Sequence, residues 1–369
     1  MKKALLAFAL ALISVFTLVA CSGGNYEIAM ITDSGGIDDK SFNQGTWEGI
    51  IEYATENEKT YKYYKPREVS DKAYLRAIKL AVRGGAKIVI TPGYLFETAV
   101  YEAQTLYPEV KFVLIDGEPH TAEYEYKTES NTLNILFDEH EVGFYAGYAA
   151  VYGGLTDLGF FGGMQVPAVQ RFGIGYVAGA YYAAKELTID ITFTAEHYEY
   201  LGSFAPTPEA KSKAATWYSD GVQVIFAAAG GAGSSAMAAA VEATGTKHVI
   251  GVDKDQSGDS TSVITSALKG VGEAAISALE DFYGNNTWVG GRTISLGSLE
   301  GGVALPSDFS RFGDKATAVK TAYDAIFVKV VAGDIVVPTN NGTSLGAFLT
   351  NLGVDNAALV AKAEPAPAA

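Results

Sequence analysis

Short apolar, β-branched runs alternate with longer stretches of helical period along most of the chain. The strand-like runs fall at residues 26–32, 86–92, 111–117, 158–163, 222–229 and 247–253. They are apolar almost throughout rather than alternating, which predicts parallel strands covered on both faces. Between them, Tyr74, Ile78 and Ala81 share one face of segment 71–85. Val319, Ala322, Tyr323, Ile326, Phe327 and Val330 repeat that period near the C-terminus. Asp71 marks a helix start and Gly84-Gly85 its stop. The order predicts an α/β fold of parallel sheets with helices on both faces. Four βα units run to about residue 131 and a second set to about residue 253. The later segments, a strand at 262–267, a helix at 271–283 and a last long helix, must return to one half or the other. Two lobes joined by several crossovers are therefore expected, although no exact repeat relates the halves.

The ends change the picture. Lys2 and Lys3 precede an apolar run over residues 4–20, broken only by Ser14 and Thr17. That is the layout of a secretory signal peptide. A transmembrane helix needs roughly 20 apolar residues, so length alone does not separate the two. Leu18-Val19-Ala20-Cys21 resembles the bacterial lipoprotein box, and Cys21 is the only cysteine of the chain. Lipidation of Cys21 and a membrane anchor are expected; stable anchoring takes two acyl chains. The exported part then holds no thiol and relies on its core rather than on disulfides. Removing Lys2 and Lys3 takes the formal charge from −15 to −17 (−15 − 2). Such an acidic surface argues against nucleic acid and anionic lipid as partners. The expected division is a signal peptide over 1–20, a lipidated linker over 21–25, a first lobe from 26–130 with 255–305, and a second from 131–254 with 306–356. The Ala- and Pro-rich stretch 357–369 reads as a disordered tail.

In open α/β sheets ligands sit beyond the carboxyl ends of the strands. After the first strand, residues 33–44 read DSGGIDDKSFNQ. The glycines allow a tight turn, and an aspartate or Ser41 can cap the next helix. Phe42 can also stack on a planar ring. Asn43 offers a donor and an acceptor, as amides do when they read a nucleobase edge, and Asp33 can accept from an N–H. Asp116 and Asp253 each end a strand, where a carboxylate can accept from sugar hydroxyls or simply cap a turn. Gly230 opens a glycine-rich loop that lacks the lysine of a phosphate loop, so close backbone approach to a neutral ligand is the better reading. Residues 253–264 imitate a calcium loop but end in Ile264, not the bidentate Glu, so no metal is expected there. Asp138-Glu139-His140-Glu141 is read as a solvated helix start, acids being favoured at that end. Asp38, Asp39, Tyr94 and Trp217 are further cleft candidates that capping and packing explain equally well. No H-E-x-x-H, no G-x-S-x-G and no catalytic cysteine occurs, and no cofactor is implied.

Taken in order, these residues resemble the basic membrane protein (BMP) family of purine nucleoside receptor A-like lipoproteins. Its marks are residues 33–44 followed by Trp47-Glu48-Gly49, FVLIDG at 112–117, FGGM at 161–164 with Phe172 and Gly175, GVDKDQ at 251–256 and TSALK at 265–269. The resemblance implies a type I periplasmic-binding-protein fold: two Rossmann-like lobes with parallel sheets, joined by a multi-strand hinge and holding a nucleoside between them. It implies that Phe42 and Phe204 sandwich the base and that Asn43 and Asp33 read its edge. Asp116, Asp253 and Lys269 would bind the ribose hydroxyls, with a backbone group from Gly230. Lys269 would also pair with Asp253 and keep it ionised. The implied partners are an ABC permease and ATPase, with the protein a lipid-anchored monomer on the outer side of the cell membrane. Base–aromatic stacking is worth roughly 1–3 kcal/mol per base. Two stacked faces plus buried hydrogen bonds would give micromolar or tighter binding, on the order of −8 kcal/mol.

Three other readings stay open, one of them a sensor or surface lipoprotein with no transporter. Stacking rings with acids would also suit a sugar or sugar-like signal. A nucleoside hydrolase or phosphorylase would act on the same ligand, but its acid, base and metal or phosphate site have no evident residues here.

Overall fold

The computed structural model describes residues 25–339 and 342–364. The expected signal peptide and Cys21 lie outside the described residues.

Two six-stranded sheets form the frame. The first has the order β11-β5-β4-β3-β1-β2, built from β1 (Ile28–Ile31), β2 (Tyr61–Tyr64), β3 (Ile88–Pro92), β4 (Lys111–Ile115), β5 (Thr132–Phe137) and β11 (Arg292–Leu296), all parallel. The second is β12-β10-β9-β8-β6-β7, from β6 (Leu158–Gly162), β7 (Tyr198–Tyr200), β8 (Val224–Ala228), β9 (His248–Asp253), β10 (Val263–Lys269) and the antiparallel edge β12 (Val303–Ala304). The halves repeat one topology without repeating sequence.

All four residues of β1 are buried, because successive side chains point to opposite, equally covered faces. Ile28 and Met30 meet helix α1 (Phe42–Glu56) through Trp47, Ile50 and Tyr53. Ala29 and Ile31 meet α2 (Asp71–Arg83) and α3 (Glu97–Leu106) through Tyr74, Ile78 and Val100. The second lobe is covered by α4 (Glu139–Tyr152), α5 (Pro167–Leu187), α6 (Pro208–Ser219) and α7 (Gly233–Glu242). Helix α8 (Val271–Leu279) returns to α1, while α9 (Ala316–Val331), α10 (Leu345–Leu352) and α11 (Ala357–Ala363) stay with the second lobe. Helices α4 and α5 touch backbone to backbone. A Cβ on Gly143 or Gly147 would collide with the carbonyl oxygens of Phe172 and Tyr176, and one on Gly175 or Gly179 with those of His140 and Phe144.

The expected lobe boundaries need three corrections. The segment 131–137 belongs to the first lobe, because β5 pairs with β4 before the chain crosses. Residues 263–269 and 303–304 belong to the second, because β10 pairs with β9 and β12 with β10. The chain thus crosses at residues 138–139, 270 and 297–302. Finally, 357–363 is helix α11, not a disordered tail: Leu359 and Ala363 are buried, and Asn356 accepts the Leu359 N–H as its cap. An Ala-rich segment with one apolar face folds where a partner surface exists.

Candidate ligand-binding cleft

The carboxyl ends of both sheets open onto one cleft. Its cavity has about 740 Å³ of empty space, counting the part open to solvent. Asp33, Phe42, Asn43, Asp116, Phe204, Gly230, Asp253 and Lys269 all line it. Asp39, Tyr94 and Phe172 line it too, whereas Trp217 is buried against Phe161 with ring centroids 4.4 Å apart.

The turn after β1 is held by two carboxylates. Asp39 accepts the N–H groups of Ser41, Asn43 and Gln44 at 2.9–3.0 Å, and so is the residue that satisfies the start of α1. Ser41 is thereby released from capping, and its hydroxyl donates across the cleft to Asp253. Phe42, at the first position of α1, faces the cavity. Asn43 is almost completely committed within the protein. Its Nδ2 donates to Asp33 Oδ1 at 2.8 Å and Asp39 Oδ2 at 2.9 Å, and its Oδ1 accepts the Asp33 N–H at 3.2 Å. Both amide protons are spent, so Asn43 presents Asp33 rather than offering a donor itself. Burial raises the pKa of Asp33, against the N–H of Gly35 and the amide of Asn43.

Phe204 comes from the other lobe. Its carbonyl accepts the Ala232 N–H at 2.8 Å, and its ring lies over Gly163 and Gly230. A side chain on Gly163 would occupy the space of that ring, and Gly230 has a left-handed φ of 55°.

Asp116 and Asp253 take corresponding places after β4 and β9, and both have left-handed backbones, φ 62° and 66°. Asp116 lines the cavity, and its Oδ1 is buried without a hydrogen-bond partner among the described residues. Lys269 pairs with Asp116 and, at 2.7 Å, with Glu139, not with Asp253 as expected. Burial pulls the Lys269 pKa down, but attraction to Asp116, Glu139 and Asp253 outweighs it and the ammonium stays charged. The rings of Phe42, Phe137 and Phe172 stand 5.0, 5.1 and 5.8 Å from its Nζ. With Lys269 taken, burial pushes Asp253 up to about 6, the Lys269 charge and the Ser41 hydroxyl opposing only in part.

Glu139 corrects another expectation. The helix start at 138–141 is not solvated throughout: Glu139 is 0 % exposed and bonded to Arg171 Nε at 2.6 Å. Burial would raise its pKa, but Arg171 and Lys269 together hold it at about 2. The signal was present, since residues 142–151 of α4 are apolar all round. A helix of that kind is buried, its first turn included.

Comparison with known proteins accords with this arrangement. The family described as "ABC transporter substrate-binding protein PnrA-like" matches residues 26–338. The chain is 30% identical over 372 residues to "ABC transporter nucleoside-binding protein BmpA" of Lactococcus lactis, covering 92% of this chain and 100% of that one. It is 32% identical over 353 residues to "Basic membrane protein A1" of Borrelia garinii, covering 92% and 97%. An ABC transporter solute-binding protein from Aeropyrum pernix shares the fold, with TM-score 0.73 and 22% identity over 91% of this chain and 99% of that one. The family is one of binding proteins rather than enzymes. No helix among the described residues is long and apolar enough to cross a membrane. This chain, with its two-lobed periplasmic-binding fold, belongs to the Bmp family of PnrA-like ABC transporter substrate-binding proteins.

Proposed function

We propose that the protein captures a purine nucleoside between its lobes and delivers it to an ABC permease and ATPase, working from a lipid anchor at Cys21 on the outer side of the membrane. The observation that carries this reading is the pairing of two kinds of wall in one cavity. Phe42 and Phe204, from opposite lobes, offer two π-faces, while Asp33 offers an acceptor near them. Asp116, Asp253 and Lys269 form a polar end suited to ribose hydroxyls. A free sugar would fill the polar end and leave an aromatic slot unused. The nucleoside-binding name of the Lactococcus relative points the same way. A ligand touching both lobes binds the closed arrangement best, and so shifts the population toward the form an importer can read. Calorimetric titration with adenosine, guanosine, inosine, cytidine, uridine, ribose and galactose tests the reading. Saturable heats with the purine nucleosides and none with the sugars are expected; binding of a sugar alone would overturn it.

A further inference from the structure

The three chain crossings between the lobes are tied to one another by polar contacts, and one of those ties reaches the ligand cavity. The first crossing carries Asp138 and Glu139, the second Lys269 and Gly270, the third residues 297–302. Gly270 N–H donates to the Gly302 carbonyl at 2.9 Å, joining the second and third. The Ser298 N–H donates to Glu141 Oε2 in the first turn of α4 at 2.7 Å, and the Ser295 hydroxyl of β11 to Asp138 Oδ1 at 2.9 Å, so the first and third crossings are joined through their flanking elements. The first and second meet through the Glu139–Lys269 ion pair alone among these contacts. Lys269 lines the cavity, with its other anion, Asp116, contributed by the first lobe.

Glu139 itself does not line the cavity. It is fixed from behind by Arg171 of α5, whose placement follows from the glycine contact of α4 with α5 one turn away. Nothing in ligand binding as such requires a fully buried Glu139 carboxylate paired with the largely buried Arg171 behind Lys269. Burying two such charges is costly unless geometry and partners are good, which makes the pair weak as a device for stability. Its evident effect is to fix one ammonium group at the meeting point of hinge and cavity.

We infer that Glu139, held by Arg171, is a positioning residue that aims Lys269 into the cleft and links occupancy of the cleft to the hinge. The inference deepens the nucleoside reading and rests on it for the ligand, but the aim of Lys269 is a property of the empty protein as well. A ligand hydroxyl that engages Lys269 and Asp116 then acts on the same ammonium that ties the first crossing to the second. Closure and binding share one group.

The test uses the full chain with Glu139→Gln, which keeps the shape and removes the charge, and with the double variant Glu139→Gln/Arg171→Gln, which removes both charges together, should the first variant fold poorly. Two readouts are taken. The first needs no ligand: acetylation of Lys269 by acetic anhydride, followed by mass spectrometry against the exposed lysines as internal standards. Lys269 is expected to react at least about tenfold faster in either variant, because its buried partner is lost. The second is a double-mutant cycle on inosine affinity with Lys269→Met, the way to isolate a coupling between two residues. Glu139→Gln should weaken binding about tenfold in the natural background and by less than about threefold beside Lys269→Met. Equal losses in both backgrounds would mean that Glu139 acts on the fold at large, and unchanged acetylation would mean that it does not hold Lys269; either overturns the inference. Should the unsubstituted protein bind no nucleoside while acetylation still rises, the nucleoside reading fails and the positioning of Lys269 stands.

Discussion

Asp253 is the residue at which the proposed binding role and stability are expected to conflict. Its pKa is raised from 3.8 to about 6, first by burial, with repulsion from Asp116 and Asp39 added, and with Lys269 and the Ser41 hydroxyl pulling the other way. The folded value lies above the unfolded one, so the neutral form is the one the fold favours. Stability from this group is complete below 3.8 and is lost as pH rises to about 6. A ribose hydroxyl donating to Asp253 favours the ionised form instead, so nucleoside binding should weaken as pH falls below about 6. Asp253→Asn is accordingly expected to raise the thermal midpoint of the empty protein near neutral pH, to bind nucleosides more weakly there, and to flatten the pH profile of affinity. An affinity of the unsubstituted protein that stays constant from neutral pH down to about pH 5 would remove the acceptor role. This division of labour was only half visible in the sequence. The strand-end position of Asp253 marked it as a cleft residue, but the partner of Lys269 is set by three-dimensional proximity to Glu139, 130 positions away (269 − 139).

Helices α4 and α5 carry that proximity. Their mutual glycines bring the backbones together, and this puts Arg171 beside Glu139. Gly147→Ala drives a methyl group against the Tyr176 carbonyl and should cost about 1–3 kcal/mol, as overpacking does. Gly258→Ala, with nothing within 4 Å of the new carbon and no left-handed φ, should stay within about 0.5 kcal/mol. Urea midpoints of the two variants check this, and equal midpoints would mean that the α4–α5 contact yields without strain. The buried parallel strands β1, β3, β4, β6, β8 and β9 were legible because both of their faces are apolar. The edge strands β2, β7, β11 and β12 were not. Tyr61-Lys62-Tyr63-Tyr64 has only one covered side and reads as polar loop, while Val303-Ala304 is too short to carry a period. Strand β5 was missed for another reason, since Asn134 interrupts its apolar run and is buried by bonding to Thr128 and Thr293.

The lobes face each other through the cleft and are also bridged at its rim. Lys254 meets Glu48 at 2.7 Å, Lys40 meets Asp259 at 3.0 Å, and Gln256 Nε2 donates to the Lys40 carbonyl at 2.9 Å. The rim ion pairs are partly exposed and worth little each. The sequence made the two-lobed plan and residues such as Asp33, Asp116 and Asp253 legible because strand ends recur in both halves, whereas Phe204 and Lys269 followed only from the resemblance to the BMP family. It left the crossing points open, since they depend on which strand pairs with which. The proposed anchor is tested on the intact chain: Cys21→Ser should move the protein from the membrane fraction to the soluble fraction, and retention in the membrane would argue against lipidation at that residue. A base stacked between the lobes is the central element of the proposed reading. It is tested by the affinity of Phe42→Ala for inosine beside that of the unsubstituted protein. Loss of one π-face, worth roughly 1–3 kcal/mol, predicts a drop of about fivefold or more; an unchanged affinity would contradict a base held between Phe42 and Phe204.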